Sequence, residues 1–115
     1  MNIRTIEKIL KNVVSEWKVL RDEKPFVTKK RNHFPHNPDL EVSKIISKDF
    51  GGKDDVYFYV WKNEDGYTIQ LDGSAMMFCE WDYATKQVLD GAFRKAHIEH
   101  EWQDCETINI SNKYN

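Results

Sequence analysis

The residues best equipped to hold a metal are the four histidines, which fall in two HxxH pairs, His33/His36 and His97/His100. Zinc takes about four nitrogen, sulfur or oxygen donors converging at roughly 2 Å, and each pair could supply two of them. On a helix, His97, His100, Glu101 and Asp104 would share one face. On a strand, the His97 and His100 rings would point to opposite faces and could not chelate together. Pro35 interrupts the first pair and the second falls in a stretch that reads as strand. The expectation is surface histidines, with no metal and no cofactor.

Glu80 and Asp82 lie two apart on an expected strand, so both project from one face roughly 7 Å apart. That spacing suits acid/base hydrolysis or cation binding. Carboxylates on the open side of a sheet are usually just solvated. Gly73-Ser74 sits in an expected tight turn and lacks the glycines that flank a serine nucleophile. There is no GxSxG, P-loop, GxGxxG or HExxH pattern. No catalytic residue is assigned. Cys79 and Cys105 are the only cysteines, apart from each other and outside any CxxC pair. They read as small apolar residues of a reducing compartment.

Aromatic alternation offers more. Tyr57, Tyr59 and Trp61 alternate with Val56, Phe58 and Val60, so one face is apolar and the other bears phenols and an indole. Trp81 and Tyr83 form a similar two-step series. Tyrosine and tryptophan are enriched at protein interfaces because they bury area at low entropy cost and keep a polar handle. Helices laid over this face would instead make the same residues core. Both readings stand on the sequence alone.

Charge is divided unevenly along the 115 residues. Through Lys53 there are 12 Lys/Arg and 7 Asp/Glu, a net of +5, and from Asp54 onward 5 against 12, a net of −7. These sum to the chain's −2. Either charged partners are met, or two halves of one molecule attract. The basic loop with Phe26 and Phe34 could touch phosphates. A pI near 6.1 and the acidic second half argue against a nucleic-acid platform.

The elements that must position these residues follow from periodicity. Ile3, Ile6, Leu10, Val13, Val14, Trp17 and Leu20 form a helical stripe that ends before Pro25, with Glu7 and Lys11 paired on the wet side. Residues 22–37 read as a basic loop. A second helix is expected from Pro38 to Phe50, with Asn37 as cap, Asp39 and Glu41 in its first turn, Lys44 and Lys48 near its end and Gly51 as stop. The period then becomes two. Val56–Trp61 is a strand, Asn63–Gly66 a turn whose glycine can take positive φ, and Tyr67–Leu71 the return strand. A second turn at Asp72-Gly73 leads to a third strand from Ala75 to Asp82. Past Tyr83, helix and strand compete. Gly91 weakens a helix by about 1 kcal/mol, which favours strands at Gln87–Phe93 and His97–Trp102. Thr107–Ile110 is a last strand, followed by a tail.

The expected fold is therefore α+β: one domain, residues 1–115, with two N-terminal helices packed on an antiparallel meander of four to six strands. No apolar run approaches the roughly 20 residues of a membrane span, and the N-terminus leads into a charged amphipathic stretch, so a cytosolic, non-membrane protein is expected. In size, charge and missing catalytic motifs the chain is similar to the small immunity proteins and antitoxins that block bacterial nuclease toxins. No particular stretch of residues carries that likeness. The expected function is non-enzymatic binding of a basic protein, a toxin domain for example. Tyr57, Tyr59, Trp61, Glu80, Asp82 and Tyr83 are the candidate partner-binding residues. Carboxylates would stand in for phosphates while aromatics anchor the contact. The alternative is a small-ligand or enzymatic cup between helices and sheet, lined by the same aromatics.

Overall fold

The computed structural model describes residues 2–17, 25–30, 41–48, 52–72, 75, 84–113 and 115. Helix α1 (Ile3–Trp17) starts where Asn2 caps it, its Oδ1 accepting from the Thr5 amide at 3.2 Å. Ile6, Leu10, Val13 and Val14 are at most 2% exposed and form the stripe expected of them. Glu7 departs from the expectation. It is turned inward and nearly buried, accepting a hydrogen bond from the Ser43 hydroxyl at 3.1 Å. The stripe is wide enough to carry Glu7 on its border, and a buried carboxylate must then find a donor.

Six strands follow: β1 (Phe26–Lys30), β2 (Val42–Lys48), β3 (Asp54–Lys62), β4 (Gly66–Leu71), β5 (Glu101–Trp102) and β6 (Thr107–Ser111). They form one antiparallel sheet in the order β1-β2-β3-β4-β6-β5. The first four make a meander. The sequel does not continue it, because β6 takes the place beside β4 and β5 lies on the edge. Among the described residues there is one further helix, α2 (Ala84–Lys95). Its Leu89 and Phe93 join the α1 stripe, Ile45, Phe58, Val60, Ile69, Leu71, Ile108 and Ile110 in a single apolar cluster. Both helices therefore lie on one side of the sheet.

The mixed α/β character and antiparallel sheet agree with expectation, while the helix placement needs correcting twice. The span expected as a second N-terminal helix holds strand β2. Val42, Ile45 and Ile46 are β-branched, and all of Val42–Ser47 except Lys44 is buried. Alternate residues of a strand reach opposite faces of the sheet, so burial of Val42 on one face and of Ser43 and Ile45 on the other suits a strand and not a one-sided helical stripe. The cap and stop residues Asn37, Pro38 and Gly51 lie outside the described residues. Further on, Gln87–Phe93 is helix rather than strand. Gly91 points into open space, with nothing within 4 Å of where a Cβ would sit. Its cost is therefore only the intrinsic one of about 1 kcal/mol, which burial of Leu89 and Phe93 outweighs.

Two smaller corrections concern loops. The expected loop at 22–37 contains β1, and Ala75, where a third strand was expected to begin, has helical backbone with its amide bonded to the Asp72 carbonyl at 2.9 Å. The Asn63–Gly66 turn is present, with Asn63 Oδ1 accepting from the Asp65 and Gly66 amides. Its glycine serves a purpose other than positive φ. A Cβ on Gly66 would sit 2.0 Å from the Ile110 carbonyl oxygen, so only glycine lets β4 approach β6.

Candidate functional site

Cross-strand register sorts the sheet's side chains by face, since directly opposed residues share one. Ser43, Val60 and Ile69 stand on the helix side, where Ser43 meets Glu7. The opposite face is built from two rows. One runs Val42, Trp61, Thr68, Asn109, Glu101 from β2 to the β5 edge. The other runs Thr28, Lys44, Tyr59, Gln70, Thr107.

These rows carry a bonded aromatic-polar surface. Thr68 accepts from the Asn63 amide nitrogen at 2.8 Å and donates to Asn109 Oδ1 at 3.0 Å. The Lys44 ammonium stands 5.7 Å from the centre of the Tyr59 ring, within cation–π range. Tyr59 and Trp61 are half-buried. Burial, the hydrogen bond to Asp72 and the charge of that carboxylate push the Tyr59 phenol up to about 12. This hydroxyl therefore keeps its proton at neutral pH and donates it in a hydrogen bond to Asp72.

The expected partner-binding residues fare differently. Tyr59 and Trp61 lie side by side in adjacent rows of the face away from the helices. Tyr57 is 5% exposed and belongs to the apolar cluster, so its ring is held in the fold. The register slips there, with Ile45 opposing Phe58 and Ile46 opposing Val56, so Tyr57 is the extra residue of a bulge in β3 and stands apart from the regular rows. Glu80, Asp82 and Tyr83 lie outside the described residues, as do Trp81, Cys79 and the His33/His36 pair.

A second polar constellation joins α2 to β5. Asp90 Oδ1 is 2.5 Å from His100 Nε2 and accepts from the Trp102 indole at 2.8 Å. The Phe93 ring lies 4.9 Å from the His100 ring, and Lys86 stands 5.8 Å from the Trp102 ring centre. Burial alone would raise the Asp90 carboxyl. Hydrogen bonds from Trp102 and His100, with the positive charges of His100 and Lys86, overcome that and hold it below its usual range.

Sequence reasoning missed this node because it placed 87–93 in a strand. His97 and His100 do part company, though not as alternating strand residues. His97 adopts φ 57° at the end of α2, while His100 turns back onto the helix. The histidine-to-acid link spans ten positions, and no local pattern announces it. Among the described residues no three of His, Cys, Asp and Glu are grouped to hold a metal ion. No described helix is long and apolar enough to cross a membrane.

Charge is laid out across the sheet. Within β1 and β2 stand Lys29, Lys30, Lys44 and Lys48 and no acid. At the other edge, Glu99, Glu101 and Asp104 are exposed around β5. Five strand steps of roughly 4.8 Å separate β1 from β5 by about 24 Å. These charges therefore do not neutralise each other by contact. Comparison with protein families, with curated proteins and with solved structures finds no match.

Proposed function

We propose that this chain is a non-enzymatic binding protein that blocks a basic partner, of the immunity or antitoxin type that occludes a nuclease-like toxin. The observation carrying this reading is the partly buried pair Tyr59 and Trp61, set among hydrogen-bonding side chains on the sheet face opposite α1 and α2. Rings of this kind bury area without losing much side-chain entropy, and the polar neighbours confer orientation. The row bearing Trp61 runs towards Glu101 and the acidic β5 edge, so a basic partner lying across it would meet aromatics first and carboxylates beyond. Glu80 and Asp82 would add to that acidity and draw the partner in by long-range attraction.

Affinity capture from native lysate tests the reading, with wild type, Trp61→Ala and the Glu80→Lys/Asp82→Lys double variant used side by side. A basic protein should be retained by the wild type, released as salt rises, and lost from both variants at unchanged melting temperature. Retention of the same proteins by all three would overturn the proposal. A ligand-binding or catalytic cup is the second reading, and the Asp90–His100 pair favours it, because a carboxylate that orients an imidazole is a common preparation for proton transfer. The partner reading requires that His100→Ala leave capture intact.

A further inference from the structure

The Asp90–His100 bond engages one nitrogen of the imidazole and leaves the other. Asp90 is an acceptor only when ionised, so in the neutral ring it fixes the proton on Nε2. Nδ1 then carries the lone pair. It makes no hydrogen bond among the described residues. Nor is it one of their buried unbonded polar atoms, the Thr28 and Ser47 hydroxyls, so it reaches solvent. The ring itself is held. Its side chain is 15% exposed, the Phe93 ring centre is 4.9 Å away, and the Trp102 indole donates to the same Asp90 oxygen at 2.8 Å. A fixed imidazole with a carboxylate on one nitrogen and solvent at the other is arranged as an activated nucleophile.

Along α2, Lys86 and Arg94 stand four residues before and after Asp90, so the three share one side of the helix, and both cations are exposed. Their charges suit an incoming phosphoryl group, which brings up to about two negative charges. Glu99 and Glu101, beside His100, offset part of that attraction. Phosphoryl transfer asks little of a protein beyond a placed nucleophile and nearby positive charge.

We infer that His100 Nδ1 is a phosphoryl-acceptor site, modified by donors of the phosphoramidate class. The Nδ1 lone pair forms the new N–P bond as the donor's P–N bond breaks, and ammonia leaves with that bond's electron pair. The Nε2 proton stays in place, and the Asp90 charge balances the imidazolium so formed. One group is taken up without turnover, which is compatible with a binding protein. The site uses neither Tyr59 nor Trp61, so the partner reading stands or falls without it.

The test treats the whole chain with potassium phosphoramidate at neutral pH and follows it by phosphorus NMR and peptide mass spectrometry. His100 should take one acid-labile phosphoryl group on Nδ1 at least about tenfold faster than His97, which is exposed at the end of α2 and serves as internal comparison. In Asp90→Asn the amide donates to Nε2 and moves the ring proton to Nδ1, so His100 should fall to the His97 rate. Nitrogen chemical shifts of the ring report that exchange, and they are read on the wild type first. Equal rates at His97 and His100, addition at Nε2, or a wild-type neutral ring with its proton on Nδ1 would each overturn the inference. So would an Asp90→Asn variant that keeps both its fold and full reactivity at His100.

Discussion

At the scale of single residues, Tyr59 shows how burial and one carboxylate decide a side chain's behaviour. Its phenol is pushed up to about 12 by desolvation first and by Asp72 second. An unfolded tyrosine titrates near 10, so the folded state holds this proton more tightly. The associated stability is complete below about pH 10 and is lost as pH rises through about 12. Chemical denaturation followed across that window should show the fall. In Asp72→Asn the acceptor's charge is gone, and the phenol should ionise at lower pH by ultraviolet absorbance. An unaltered titration in the variant would assign the whole shift to burial.

Single elements show two glycines of opposite meaning. Gly91, exposed on α2 with open space around it, carries only the backbone-entropy cost, so Gly91→Ala should stabilise by about 1 kcal/mol. Gly66 faces the Ile110 carbonyl, a backbone atom that no rotamer change can move, and Gly66→Ala should cost about 3 kcal/mol. Urea denaturation of the two variants checks both signs. The end of α2 is equally specific. Ile98 donates its amide to the Phe93 carbonyl at 2.9 Å and His97 to that of Arg94 at 3.0 Å, with His97 in the left-handed region. This pair of bonds closes the helix and carries the buried Ile98 onto the core, which brings His100 back to Asp90. Because the Asp90 carboxyl is held low, its contribution is present above the ordinary carboxylate value near 4 and disappears as pH falls through the depressed one. Asp90→Asn should therefore lower the melting temperature at pH 7 and flatten its dependence on acid. A variant with the wild type's full acid dependence would show that other carboxylates govern it.

At the scale of the molecule, charge and shape divide the sheet into a basic edge, an aromatic-polar middle and an acidic edge. A basic partner on the middle and acidic regions should respond to two separable kinds of change. Glu101→Lys with Asp104→Lys removes exposed carboxylates from the acidic edge, and should slow association and reduce its salt sensitivity. Trp61→Ala removes a ring from the middle, and should speed dissociation, costing on the order of 2–4 kcal/mol of binding. Stopped-flow kinetics separates the two, with thermal melting alongside. Loss of fold in step with loss of binding would return Trp61 to a structural role. Full binding by the charge-reversed variant would remove the acidic edge from the mechanism.

What the sequence determined by itself was whatever depends on neighbours along the chain. The α1 stripe, the Asn63–Gly66 turn with strands β3 and β4 about it, and β6 all rest on periodicity and turn chemistry within a few residues. The alternation that sets Tyr59 and Trp61 apart from Phe58 and Val60 is of the same kind. Tertiary structure decided the rest. Residues 42–48 have helix-like punctuation around them, yet pairing with both β1 and β3 satisfies their backbone on both flanks, and only long-range partners can do that. The span around Gly91 is helical because Leu89 and Phe93 reach a core made by α1 and the sheet. The same holds for Tyr57, the extra residue of a bulge in β3 against β2, which is buried in the core while Tyr59 and Trp61 are only partly buried. Local propensity is worth about 1 kcal/mol per residue, and burial of one large apolar side chain is worth two or three times that, so where they disagree burial prevails.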